Sequence, residues 1–101
     1  MVKVLADKIE GQYILLEARS DDLKVWRFYY MGVQKDLFRN WFLLTRYGRK
    51  GTEGRQKEYI FSQSDDLIQK ARQVFKKRLK ANSRIGVNYA VVNADLSLFL
   101  R

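Results

Sequence analysis

A chain of 101 residues, 47% hydrophobic and 14% aromatic, has room for one hydrophobic core and not for two. Twenty Lys and Arg against eleven Asp and Glu leave a formal charge of +9, which points to a polyanionic partner and says nothing about fold. Cysteine and histidine are both absent, which removes disulfides, Cys/His zinc sites, thiol nucleophiles and imidazole bases together.

At the amino end, Asp7, Lys8 and Glu10 interrupt the one short apolar stretch, too soon for the apolar region of a secretory signal. The longest uncharged run, the ten residues from Ile85 to Ala94, falls far short of the roughly 20 apolar residues that cross a bilayer. The expectation is a cytoplasmic protein, nucleoid-associated if bacterial, with no membrane partner. Without proline, repeats or a low-complexity linker, residues 1–101 read as a single domain.

Tyr13 to Ala18 is apolar and partly aromatic and reads as a half-buried strand. After a turn at Arg19 to Asp22, Val25 to Val33 alternates, with Trp26, Phe28 and Tyr30 on one face and Arg27 and Tyr29 on the other. A second turn lies around Gln34, Lys35 and Asp36. Trp41, Leu43 and Thr45 then oppose Phe42, Leu44 and Arg46, and Arg55 to Phe61 continues in extended style, so the two segments form a hairpin around the seven residues Gly48 to Gly54. Trp26, Phe28, Trp41 and Phe42 are expected mainly to fill the core.

Beyond Phe61 the period changes. Leu67, Ile68, Ala71, Val74, Phe75 and Leu79 recur every three or four residues and predict a helix over about 65–81, capped by Ser64, with Asp65 and Asp66 at the positive end of its dipole and Lys76, Lys77, Arg78 and Lys80 toward the negative end. The helix should end near Asn82, with Gly86 beyond it, followed by a strand at Tyr89 to Val92 and a tail pairing through Leu96 to Leu100. This order predicts an α+β fold: an antiparallel sheet of about four to six strands with one α-helix across one face.

Residues 46–84 hold twelve basic and four acidic side chains, a net +8, and leave +1 for the rest of the chain. The excess is therefore concentrated in the glycine hairpin and the helix after it, as binding to a phosphate backbone requires. In the hairpin, Gly48, Gly51 and Gly54 permit positive φ and close backbone approach, Tyr47 offers a flat ring, and Arg46, Arg49, Lys50, Arg55 and Lys57 offer charge. A strand follows, and no Gly-Lys-Ser/Thr, so this is not a nucleotide-binding P-loop.

The run Tyr47-Gly48-Arg49-Lys50-Gly51-Thr52-Glu53-Gly54-Arg55-Gln56 resembles the signature of the WGR domain, Trp-Gly-Arg-x-Gly-Thr-x-Gly-Gln. Lys24 to Tyr29 is similar to the aromatic strand that precedes that signature, and Phe61 with the following helix is similar to what succeeds it, so the resemblance covers roughly 10–92. It implies a small antiparallel sheet with a helix, no catalytic residues, no cofactor and no metal. It also implies the role that the domain has in poly(ADP-ribose) polymerases, where it binds DNA at strand breaks and relays the break to a separate catalytic domain; short bacterial members are the nearest in size. The departure is Tyr47, which keeps a ring and adds a hydroxyl on a smaller surface than the signature Trp.

The expected function is a non-enzymatic nucleic-acid-binding module for DNA, or for RNA, with preference for ends, nicks or breaks and low sequence specificity. Tyr47, Gly48, Arg49, Lys50, Arg55, Arg46 and Lys57 form its site, and a separate effector protein is a further partner. The alternative is a protein interaction module anchored by aromatics such as Trp41 or Tyr30, with its charge serving steering or solubility. An enzyme built on Asp21-Asp22 or Asp65-Asp66 is the weakest reading, because each pair has a simpler place at a turn or a helix start.

Overall fold

A computed structural model of the chain describes residues 9–80 and 88–95. Its elements are β1 (Tyr13–Ser20), β2 (Val25–Lys35), β3 (Trp41–Arg49), β4 (Arg55–Phe61), α1 (Ser64–Leu79) and β5 (Ala90–Asp95). The strands form one sheet in the order β4-β3-β2-β1-β5, and every neighbouring pair is antiparallel. The architecture is α+β, as the periodicities require.

Side chains alternate across a strand, so parity decides burial. Ile14, Leu16 and Ala18 of β1, Tyr29, Met31 and Val33 of β2, and Trp41, Leu43 and Thr45 of β3 all lie in the core, joined by Leu67, Ala71 and Val74 of α1. Each fully buried Leu, Ile or Met stabilises the fold by about 1.5–3 kcal/mol relative to exposure. The helix packs against β3 and β4.

Trp26 and Phe28 have the opposite parity from Tyr29, so they fall on the face away from α1; Trp26 is 40% exposed and Phe28 half-buried. Phe42 is likewise half-buried, and of the four aromatics expected in the core Trp41 alone is fully within it. That burial also removes Trp41 as an exposed anchor for a partner.

The helix starts at Ser64, not Asp65. Gln63, extended at φ −118° and ψ 136°, is the N-cap and makes no side-chain capping bond; Ser64 is already helical and buried, so its hydroxyl does not cap. Asp65 and Asp66 still answer the dipole in the first turn, and Lys76, Lys77 and Arg78 in the last. The C-cap is Lys80, whose amide bonds back to the Lys77 carbonyl at 3.2 Å, tightening the last turn short of Asn82. Leu79, at the frayed end of the stripe, is 46% exposed.

The last described strand starts at Ala90 and continues to Asp95, one residue later and three residues farther than expected, because it pairs along β1 from Glu17 to Tyr13. Asn82, Gly86 and the Leu96 to Leu100 tail lie outside the described residues.

Candidate nucleic-acid interface

The glycine hairpin is tighter than its glycine spacing implied. The ladder continues to Tyr47 opposite Arg55, β3 extends to Arg49, and five residues, 50–54, form the connection instead of seven. The Arg49 carbonyl accepts from both the backbone N–H (3.1 Å) and the hydroxyl (2.7 Å) of Thr52, which explains a threonine one residue after the positive-φ Gly51. Gly54 has φ 72°, and a Cβ there would run into the Tyr47 carbonyl. Glycine is required at that position by backbone conformation and by space together.

Register then decides which charges meet. Arg27 pairs directly with Arg49, and in the next row on the same face Tyr29 pairs with Tyr47, the two rings stacked with centroids 5.5 Å apart at 15°. Tyr47 in turn pairs with Arg55, and Thr45 with Lys57. Tyr47, Arg49, Arg55 and Lys57 thus share the helix side of the sheet, and Arg27, which the sequence reading left out of the site, joins them. Above this face the Arg78 guanidinium lies 4.2 Å from the Tyr29 ring centroid and 5.2 Å from that of Tyr47, and Lys70 Nζ lies 4.8 Å from that of Tyr59. Tyr47 is therefore half-buried in a layer of rings and cations and is not a free-standing plate.

Arg46 and Lys50 belong to the opposite face. Arg46 Nη2 donates to Gln56 Oε1 across the hairpin at 2.8 Å. The Lys50 amide donates to the Trp26 carbonyl at 2.8 Å, and Lys50 Nζ donates to Glu17 Oε2, also at 2.8 Å. Trp26 Nε1 donates to the other carboxylate oxygen at 2.8 Å, and Arg19 stacks on the indole with its guanidinium 4.1 Å from the ring centroid. The bonds from Lys50, then from Trp26, hold the Glu17 carboxyl below its ordinary value of 4.5. Six of the seven expected site residues thus divide between two faces that meet at the hairpin tip, and Gly48 is the spacer between them.

Among the described residues, no group of three or more Asp or Glu is placed to hold a metal ion, and no helix is long and apolar enough to cross a membrane. Asp21 is instead paired with Arg19 at 3.2 Å.

The family profile described as WGR domain matches residues 12–85, from just before β1 to beyond α1. This chain belongs to the WGR family. WGR domains are nucleic-acid-binding modules and not catalytic ones, which agrees with the basic, ring-lined surface around the signature hairpin. No curated protein matches the chain.

In this WGR domain the Glu17–Lys50 tie draws a signature-loop cation away from any ligand. Glu17→Gln should tighten nucleic-acid binding by about twofold to fivefold, through a freed Lys50 and one fewer negative charge, as an anisotropy titration at about 0.1 M salt would measure. The pH dependence carries the same sign. A carboxyl with a lowered folded pKa stabilises the hairpin above its unfolded value, and that contribution disappears as pH falls through the folded value, so the tie is intact at neutral pH and released in acid.

Proposed function

We propose that this WGR domain binds DNA without catalysing a reaction, preferring ends, nicks or breaks and reading little or no base sequence. The observation that carries the reading is the Arg27–Arg49 cross-strand pair, with Arg55 one row farther along the same face. Like charges directly opposite on a sheet are destabilising in isolation. A phosphate between them reverses that sign, and Lys57 extends the same face toward the helix.

The expected indifference to sequence follows from shape. The signature hairpin is closed onto β2 by the Lys50 to Trp26 backbone bond, and the helix packs against β3 and β4, so among the described residues no helix stands free as a major-groove reader does. Breaks offer what such a surface can use: phosphates that are free to move, and exposed sugar and base edges beside the Tyr29–Tyr47 layer. The deciding experiment is an anisotropy titration of a closed circular duplex, a nicked duplex and a blunt duplex at several salt concentrations. Tight, salt-sensitive binding that favours the nick or the end supports the reading; no binding to any of the three at low salt removes it.

One observation favours a protein partner as a second reading. In the turn between β2 and β3, Leu37 is 98% and Phe38 85% exposed. Asp36 holds this turn by accepting from the Phe38 and Asn40 amides, both at 2.8 Å, so the two apolar side chains are presented by a fixed frame. Leu37→Ser with Phe38→Ser should leave the melting temperature within about 2 °C, because neither side chain is buried. If the tip is an anchor, the double change abolishes capture of a partner protein and leaves DNA affinity intact; a loss of DNA affinity would instead assign the tip to the nucleic-acid surface.

A further inference from the structure

Beneath the carboxyl-terminal half of α1, the helix and strands β2 to β4 enclose a cleft of about 240 Å³. Tyr29, Tyr47 and Tyr59 line it together with Lys57, Lys70, Lys77 and Arg78, and among the described residues no Asp or Glu does. Four cations around one small cavity repel one another, and the low-dielectric walls strengthen that repulsion while concentrating positive potential inside. The helix dipole favours Lys77 and Arg78 where they stand and the rings attract Arg78 and Lys70, but none of these contacts supplies a negative charge to balance the four.

Arg78 adds an independent observation. Its Nε is buried and has no hydrogen-bond partner, although its guanidinium sits against the Tyr29 and Tyr47 rings. Buried donors are ordinarily paired, and an unpaired one calls for an explanation, of which an absent ligand is one. The arginine is also held in place: rings on the sheet fix its plane, so a fork of N–H groups is presented in one orientation. Burial pushes the Tyr29 hydroxyl pKa up, against the opposing pull of Arg78.

We propose that this cleft is a phosphate site, in which Arg78 is the directed donor and Lys57, Lys70 and Lys77 supply the charge. Its volume leaves room beside one phosphate for a linked sugar or a second phosphate. The group therefore comes either from a nucleic-acid strand or from a small polyphosphate. The site stands on its own lining and does not require that the hairpin bind a DNA break.

The test is a titration of the isotope-labelled protein followed by NMR at the Arg78 Nε–H resonance, at constant ionic strength, with pyrophosphate in one arm and a short single-stranded oligonucleotide without terminal phosphates in the other. A saturable shift at Arg78 is expected, with pyrophosphate affinity lowered about tenfold or more in a Lys70→Gln, Lys77→Gln variant and changed less than about twofold in Arg49→Ala. Lys77 is exposed, Lys70 only half-buried, and glutamine is a good helix former, so the double variant should fold. A response to pyrophosphate alone assigns the site to free polyphosphates, and a response to the oligonucleotide, alone or as well, assigns it to a strand. No saturable shift at Arg78 in either arm, or a pyrophosphate affinity at Arg78 that Lys70→Gln with Lys77→Gln leaves unchanged, overturns the proposal. The hairpin amides in the oligonucleotide arm report separately on the DNA reading, so either can fail without the other.

Discussion

Replacing Arg27 or Arg49 with alanine should weaken binding to a nicked duplex by about 1–3 kcal/mol each, roughly fivefold to 150-fold at fixed salt, and leave the fold as stable as before or slightly more so. The two arginines face each other across β2 and β3, and truncating either relieves a like-charge contact that costs about 0.2–1 kcal/mol in the free protein. A structural residue behaves differently, because its loss lowers stability and binding together. The slope of log affinity against log salt should also flatten by about one for each phosphate contact removed. Thermal melts beside anisotropy titrations read both quantities. Equal losses from Lys80→Ala would mean that charge acts diffusely and that the strand pair is no site.

Gly54→Ala should be the most damaging single change in the hairpin, lowering stability by about 2–4 kcal/mol and the melting temperature by about 10–20 °C in a domain of this size. Two costs add at this residue. A left-handed conformation at φ 72° disfavours any Cβ, and the Cβ itself would meet the Tyr47 carbonyl and approach Phe28 Cζ to 2.9 Å. The carbonyl is main chain, held where Tyr47 pairs with Arg55 on one side and Tyr29 on the other, and cannot turn aside. Gly51→Ala supplies the comparison: φ is 90° there, but nothing lies within 4 Å of the added carbon, so only the conformational cost of about 1–2 kcal/mol applies. If differential scanning calorimetry gives both variants the same melting temperature, the close approach at Gly54 is not a constraint on the fold.

These two cases mark where sequence reasoning reached and where it stopped. Period two in the strands and period three to four in the helix were legible because each reports local geometry. Arg55 to Phe61 is accordingly a strand with the expected ends. Parity separated Trp26, Phe28 and Tyr30 from Tyr29, yet parity cannot say which side a single helix will cover; β3 and β4 decide that by carrying α1. Arg27 was visible as a basic residue sharing a face with Tyr29. Its place opposite Arg49 depends on the register of β2 against β3, which no local signal states. The division of Arg46 and Lys50 from Tyr47 and Arg49 could have been found by applying alternation through the hairpin, since Arg46 sits at an even and Tyr47 and Arg49 at odd positions of β3, and Lys50 keeps the even parity just past the strand's end. The Leu37-Phe38 tip lay beyond a turn signal that drew attention to its polar residues alone, and the Ser64 cap yielded to a helix that begins one residue sooner.

The strand order also bears on how the molecule assembles. Three of its four ladders join neighbours in sequence, so each closes over a short loop, and only the pairing of β1 with β5 must bring distant segments together. Its register breaks between Leu15 and Leu16, and Ala90 to Ala94 are exposed, so little apolar burial rewards that closure. The arginine pair, the ring layer and the phosphate cleft all lie between Arg27 and Arg78, within the part that zips locally. In folding, the binding surface can therefore be in place before β5 pairs, and β5 then docks as a clasp on the edge of the sheet farthest from β4.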